Sequence, residues 1–281
     1  MMDTTGDIDS VRRLFRKPIF ELLPFRSAIH QIEFLPEAAT VTIAASPARG
    51  IEATLEYATK LAQRGFDVIP HIAARSVADE AHLSRILDTI AQAEIGRILV
   101  VGGDSTSSGE FADGLSLIQA IAGLGYPLPE IGIPAYPDGH AFIPRETLRR
   151  ALKQKQPYAS YMTTQMCFDP VTITNWIADI RSDGITLPIH LGMPGVAPIS
   201  KLISISAQIG VGTSARFLLR HRGLLSRLTR RNTYSPDRLA MSLSEVIADP
   251  RAKIEAAHIF TFSQVESFEA WRQDWLSAID C

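Results

Sequence analysis

The stretch RILVVGGDSTSSGE, Arg97 to Glu110, decides how the rest of the chain is read. Ile98 to Val101 is a short unbroken apolar run, the pattern of a strand buried on both faces. It breaks on Gly102-Gly103, presents Asp104, and passes through Ser105 to Ser108 towards an apolar-periodic helix near Phe111. Glycines at a strand's end let backbone approach a ligand, because no Cβ stands in the way. An acid at the C-terminal tip of a parallel strand is where barrel and doubly wound enzymes carry catalytic groups. The competing reading is that Asp104 only caps a turn or the next helix.

Working outward, the same strand–loop–helix unit recurs. Strands are expected at Ile19–Leu23, Thr40–Ala45, Asp67–His71, Ile98–Val101, Ile131–Ala135, Tyr158–Gln165, Leu187–Gly192 and Ala257–Phe262. Helical spacing follows most of them, at Ile51–Gln63, Val77–Ala93, Phe111–Leu124, Arg145–Gln156, Val171–Ile180, Ile199–Ile209 and Val265–Ile279. Alternating β and α units imply parallel strands with right-handed crossovers. Eight units in 281 residues fit an α/β fold, an eight-stranded parallel β/α (TIM) barrel, better than an open sheet. One domain is expected over residues 1–281, with residues 1–17 as an N-terminal tail or short helix. A helical insertion is expected at 213–250, before the last strand. Its basic part, Arg216 to Arg231, reads as a solvated helix face, or as a landing site for an anionic tail or a dinucleotide phosphate.

Composition narrows the class. The chain is 46% hydrophobic and 21% charged, with net charge -2, which argues against a dedicated nucleic-acid binder. No apolar run approaches the roughly 20 residues of a membrane span, and the polar start MMDTTGDIDS is unlike a signal peptide. Cys167 and Cys281 are too few for a disulfide framework or a zinc knuckle, which fits a reducing cytoplasm. There is no G-x-G-x-x-G after the first strand, no P-loop, no zinc spacing, and no nucleophile elbow around Thr106 to Ser108. No metal site is therefore expected.

The residues out of keeping with their surroundings are Glu21 inside IFELL, His71, Asp104, Tyr136, His140, Gln165 and the Met193-Pro194 loop. All fall at or just beyond strand ends, so a barrel would gather them around one mouth. A charge within a buried strand is costly unless paired or functional; otherwise Glu21 faces solvent on a strand edge and His71 is a packed core histidine. Two carboxylates, an amide, a phenol and an imidazole suit acid–base and iminium chemistry on a polar heterocycle.

Six short motifs, in order from residue 19 to about 262, resemble the methylenetetrahydrofolate reductase family. Phe20-Glu21-Leu22-Leu23-Pro24-Phe25-Arg26 is similar to its F-E-F-F-P-P-R, Pro70-His71-Ile72 to its P-H-L, and Gly103-Asp104 to the end of its R-G-D. Ala135-Tyr136-Pro137-Asp138-Gly139-His140 resembles A-Y-P-E-x-H, Thr164 to Asp169 resembles T-Q-x-x-F-D, and Leu191 to Pro194 resembles the P-G-I-L-P loop. The resemblance implies reduction of 5,10-methylenetetrahydrofolate to 5-methyltetrahydrofolate by NADH or NADPH, with FAD as the usual carrier. It implies that Glu21 protonates the leaving nitrogen, with burial raising its pKa, and that Asp104 stabilises the iminium cation. Gln165 would meet the pterin, with Tyr136, Met193 and Leu202 beside the substrate. His71, Gly102, Gly103, Tyr136 and His140 would line the cofactor.

The departures concern the flavin. The family's R-G-D arginine is Gly102 here, and the acid and lysine of the helix after His140 match Thr147 and Gln154. Leu202 stands where the family has a stacking aromatic. Arg149, Arg150 and Lys153 are near enough in sequence to restore charge, so FAD held by other residues and direct transfer from nicotinamide both remain open. The implied partner is a tetrahydrofolate, with neither nucleic acid nor membrane, and self-association into a homo-oligomer is left open. The alternatives are a barrel oxidoreductase for another one-carbon or pterin substrate, and a folate-binding pseudoenzyme.

Overall fold

Strands whose two faces are both apolar can be buried only if helices cover one face and the sheet closes on the other. In the computed structural model, which describes residues 4–25, 30–104, 109–125, 129–208 and 233–280, this is the outcome. Eight parallel strands form a closed barrel: β1 (Ile19–Leu22), β2 (Thr40–Ile43), β3 (Asp67–Ala73), β4 (Arg97–Val101), β5 (Glu130–Ala135), β6 (Tyr161–Thr164), β7 (Ile189–Pro194) and β8 (Ile254–Phe260). Each pairs with its sequence neighbour, and β8 closes the ring against β1 with Ile19 opposite His258 and Glu21 opposite Phe260.

Around the barrel run α1 (Thr4–Arg16), α2 (Gly50–Ala62), α3 (Glu80–Gln92), α4 (Gly114–Gly123), α5 (Arg145–Lys155), α6 (Pro170–Ser182), α7 (Ile199–Gln208), the short α8 (Asp237–Ser242) and α9 (Ser244–Ala248), and α10 (Val265–Asp280). The starts of α3, α4 and α6 are each fixed by an aspartate. Asp79 accepts from the His82 amide, Asp113 from those of Leu115 and Ser116, and Asp169 from that of Val171. Such caps satisfy amides that have no partner within the helix.

Side chains alternate across each strand. Val41, Ile43, Ile98, Val100, Ile131, Ile133, Ile189, Leu191 and Ile259 join the core between barrel and helices. Inside the barrel, Ile69, Leu99 and Tyr161 make a separate cluster. Tyr161 donates to the Ile98 carbonyl at 2.9 Å and passes over Gly132, where a Cβ would lie 2.2 Å from its ring. At the lower end Arg97 pairs with Asp67, which also accepts from Thr40 at 2.9 Å.

Several boundaries differ from the sequence-based expectation, each for a pairing reason. β3 runs on to Ala73 because β4 pairs with it there, so His71 lies within the strand, not at its tip. β7 continues through Met193 and Pro194, paired with Ile259 and Phe260, so this pair is strand and not loop. β6 begins only at Tyr161, because Gln156–Tyr158 forms a 3-10 turn. The N-terminal segment is a helix whose Val11, Leu14 and Phe15 are buried, and is not a loose tail. Phe15 meets the edges of Trp271 and Trp275 with ring centroids 5.2 Å away in each case. Arg26, Thr106 to Ser108, the basic run Arg216 to Arg231 and Cys281 lie outside the described residues. Of the expected insertion at 213–250, the described part holds a two-residue strand, Thr233–Tyr234, antiparallel to Ala197–Pro198, then α8 and α9. No described helix is long and apolar enough to cross a membrane.

Candidate active site

Glu21 is the third residue of β1, and alternation turns it inward while Phe20 packs outward on Phe268. Its Oε2 lies 3.1 Å from Nε2 of His258, on the neighbouring β8, and 4.0 Å from Nε2 of His71 on β3. His258 is fully buried, His71 is 8% exposed, and the Glu21 side chain keeps 16% exposure towards the mouth. A carboxylate between two imidazoles is thus built from three strands. The Thr261 hydroxyl fixes the β1 end of this arrangement by donating to the Glu21 carbonyl at 2.6 Å.

The electrostatics overturn one expectation. Burial pushes the Glu21 pKa up, but the His258 hydrogen bond and the charges of His258 and His71 outweigh it, leaving the carboxyl below its ordinary value. A raised pKa, expected from burial alone, neglected an imidazole that approaches from the last strand. Burial likewise pushes His71 down to about 4, opposed by the Glu21 charge and helped by His258. His190, stacked on Tyr161 with centroids 4.4 Å apart, is pushed down to about 3 by burial, then by His258 and Arg97. His71 Nε2, His258 Nδ1, His190 Nδ1, Thr42 Oγ1 and Gln165 Oε1 are all buried without a hydrogen-bond partner among the described residues. Orphaned polar atoms at this density mark a place that awaits water or ligand.

The remaining expected residues divide into three groups. Gln165 follows β6 directly, its backbone N–H donating to the Ala135 carbonyl at 2.7 Å. Tyr136 and His140 meet edge to face at 5.4 Å, and His140 in turn meets the exposed Phe142 at 6.0 Å. Asp104 is exposed at the β4 tip; burial and then the Asp104 charge raise the Tyr136 hydroxyl pKa, so the two side chains face each other electrostatically. Gly103 adopts φ +86°, and a Cβ there would stand 3.1 Å from the Ala73 side chain, so this turn is built for glycine. Gly102 and Tyr136 line a cavity of 320 Å³ that continues between α4, α5 and α6 and also touches Thr147, Gln154 and Lys155.

Four expected site residues are placed elsewhere. Met193 is fully buried and turned away from the barrel axis into the core beneath the helices. Leu202, also fully buried, packs with Met166, Phe168, Ile199 and Tyr234 in a small core beside the mouth. Arg150 and Lys153 line an outer groove of α5, with Lys153 held by Asp183 at 3.3 Å. Helical periodicity turns them from the cavity, since 100° per residue separates neighbours in sequence.

Sequence reasoning passed over His258 and His190. Each is a single polar residue at the centre of an apolar strand, Ala257-His258-Ile259 and Ile189-His190-Leu191, the same signal that drew attention to Glu21. No group of His, Cys, Asp and Glu is placed to hold a metal ion among the described residues.

Comparison with known proteins adds a family. A sequence model of the family described as Methylenetetrahydrofolate reductase matches residues 24–213, a span that starts after Glu21 and ends before His258. Among solved structures, a class V chitinase mutant from Cycas revoluta is 9% identical, covering 92% of this chain and 99% of that one, at a TM-score of 0.48. A putative lyase/mutase from Burkholderia cenocepacia J2315 is 11% identical over 98% of this chain and 86% of the other, at 0.45. The spore cortex-lytic enzyme SleL of Bacillus megaterium QM B1551 is 9% identical over 92% and 73%, at 0.49. At these scores the structural likenesses carry no argument about this chain.

Proposed function

The chain belongs to the methylenetetrahydrofolate reductase family, and from that premise we propose that it reduces 5,10-methylenetetrahydrofolate to 5-methyltetrahydrofolate in the cytoplasm, with NADH or NADPH as the electron source. The observation that supports this best is the carboxyl of Glu21, buried at a barrel mouth and hydrogen-bonded to an imidazole at 3.1 Å. Opening the substrate's five-membered ring needs a proton at the leaving nitrogen, and pure binding would need none.

Glu21 and His258 act as one proton-holding pair in this reading. Substrate docked over the mouth removes the carboxyl's remaining exposure, and loss of water shifts it towards the protonated form. The proton then passes from the Glu21–His258 hydrogen bond, through the carboxyl, to the nitrogen. Asp104 places a carboxylate at the same rim, where it stabilises the iminium cation that ring opening leaves. The Gln165 side-chain amide offers a donor and an acceptor to the pterin edge, and its Oε1 has no partner among the described residues.

A redox cofactor supplies hydride when bound. The residues present fit part of a dinucleotide: the 320 Å³ cavity beside Gly102 and Tyr136 lies at the small end of the roughly 300–1,000 Å³ typical of ligand pockets. Of the family's flavin contacts, the arginine is Gly102 here and the acid and lysine are Thr147 and Gln154, while Arg150 and Lys153, which could have restored charge, line an outer groove. Each charge-assisted bond contributes about 1.5–3 kcal/mol, so FAD binding is weak here, or nicotinamide donates directly. Purified protein is assayed for NADH oxidation with methylenetetrahydrofolate, with and without added FAD. Substrate-dependent oxidation is expected. Its absence in both arms, with folate still bound, would turn the reading to a folate-binding pseudoenzyme.

A further inference from the structure

Two left-handed residues follow one another just beyond β8. Phe262 has φ +52° and Ser263 φ +58°, a conformation costly for any residue with a side chain and most of all for a bulky one. Strain of this kind persists only where surrounding contacts hold it, and it gathers at functional sites. Part of the hold is local: the Gln264 amide donates to the Thr261 carbonyl at 2.9 Å, and the Phe262 ring stacks on Phe260 with centroids 6.5 Å apart. The rest comes from another element, because Lys201 Nζ donates to the Phe262 carbonyl at 2.8 Å. Lys201 is the third residue of α7, where unpaired amides and the helix dipole disfavour a cation. Its ammonium is directed at a neutral carbonyl, with no carboxylate among the described residues as partner.

The same turn bears on Glu21. Thr261, buried and next before Phe262, donates to the Glu21 carbonyl at 2.6 Å, and His258, three residues earlier still, holds the Glu21 carboxyl at 3.1 Å. Phe260 is the last β8 residue paired with β1, opposite Glu21, so the ladder that sets Glu21 ends where the turn begins. We propose that Lys201 is a positioning residue for the Glu21–His258 pair: by fixing the Phe262 carbonyl it keeps the turn left-handed, and so keeps Thr261 and His258 set on Glu21. This rests on the reading of Glu21 as the acid, and Lys201 acts through the backbone alone. Without the tether, Phe262 and Ser263 relax towards right-handed backbone, and Thr261 leaves the Glu21 carbonyl. The end of β1 then parts more freely from β8. The groups facing the carboxyl are His258 and His71, and its hydrogen bond to His258 is what loosens, so burial regains weight and the carboxyl moves upward.

The test reads NADH oxidation with methylenetetrahydrofolate and the Glu21 carboxyl titration by NMR, in Lys201→Met and in Lys201→Met combined with Ser263→Gly. For Lys201→Met, kcat is expected to fall about 10- to 100-fold with KM within about threefold, and the carboxyl midpoint to rise. Lys201→Arg, which can still donate, is expected to keep most of the turnover. Glycine takes up a left-handed turn at no steric cost, so the double variant is expected to regain most of kcat and to return the midpoint towards wild type. A lysine that only stabilises its helix would lower the unfolding temperature and leave both readouts in place, which overturns the assignment. A loss that Ser263→Gly does not repair overturns it as well. Should Lys201→Met not fold, the double variant decides: a folded, active protein upholds the tether, and failure of both to fold overturns it. If the wild type oxidises no NADH with this substrate, the reductase reading falls, and the carboxyl titration still tests the tether by itself. Turnover that depends on Glu21 but not on Lys201 overturns the tether alone.

Discussion

At Glu21 two effects of opposite sign meet: burial favours the neutral acid, while the His258 hydrogen bond and nearby imidazole charges favour the anion and prevail. Replacing Glu21 by Gln keeps the shape and removes the proton, so NADH-linked turnover is expected to fall about 100- to 10,000-fold with folate binding retained. Turnover within a few-fold of wild type would take Glu21 out of the chemistry. His258→Leu removes the hydrogen bond and the larger charge together, so burial then governs and the Glu21 carboxyl moves upward. Carboxyl NMR titration, with Glu21→Gln identifying the resonance, reads this; an unmoved midpoint would show that His258 does not hold the Glu21 carboxyl down. Glu21 was legible in sequence because a charge inside IFELL has no bland explanation within its own strand. His258 was not. Whether a lone histidine in an apolar strand points inward depends on register, and its partner stands 237 positions away.

Among the elements, α10 is bound to α1 by the Phe15 ring contacts, by the Arg12 hydrogen bond to the Ile279 carbonyl at 2.6 Å, and by Arg272. Arg272 takes the Glu269 carboxylate at 2.7 Å and donates to the Phe15 carbonyl at 3.1 Å and the Arg16 carbonyl at 3.4 Å, closing the C-terminal end of α1. Both charges are buried, and removing one partner of such a pair typically costs 3–5 kcal/mol. Arg272→Ala is therefore expected to lower stability by about that much in denaturant titration, with a loss under 1 kcal/mol counting against the clamp. Gly132→Ala tests the barrel interior, since the new methyl would meet the Tyr161 ring at 2.2 Å. A soluble, wild-type-like unfolding midpoint would mean that the ring swings aside. Strand and helix identity followed from apolar periodicity, but the ends did not. β3 and β7 are extended by what pairs beside them, and α4 starts at Gly114 because Asp113, not an earlier residue, caps it. In α5 the period of the helix, not nearness in sequence to an absent cation, selects Lys155 over Arg150 and Lys153 for the cavity.

For the molecule as a whole, the barrel was legible from eight apolar runs with helical segments between them, whereas its polar interior was legible only at Glu21 and His71 and not at His190 and His258, because inward positions interleave with outward ones. That interior makes stability depend on pH. His71 and His190 titrate at about 4 and about 3 in the fold, against about 6.5 in an unfolded chain. Below about pH 6.5 the unfolded chain takes up protons that the native state refuses, so stability falls with pH, by up to about 1.4 kcal/mol per unit for each histidine. The lowered Glu21 carboxyl acts in the same direction at lower pH. Unfolding midpoints measured from pH 7 down to 5 are expected to fall, and to fall less steeply in His190→Gln; a flat profile would contradict neutral buried imidazoles. Closure of the ring has a temporal side as well. Glu21 leaves the ribosome before His258, which follows only after 237 further residues, roughly 10 to 50 seconds at the usual 5–20 residues per second of synthesis. Until β8 arrives, a nascent barrel has two open edges and a carboxylate without its imidazole. Chains cut short before residue 254 have no β8 with which to close the ring, and are expected to behave as clients for chaperones rather than as weak enzymes.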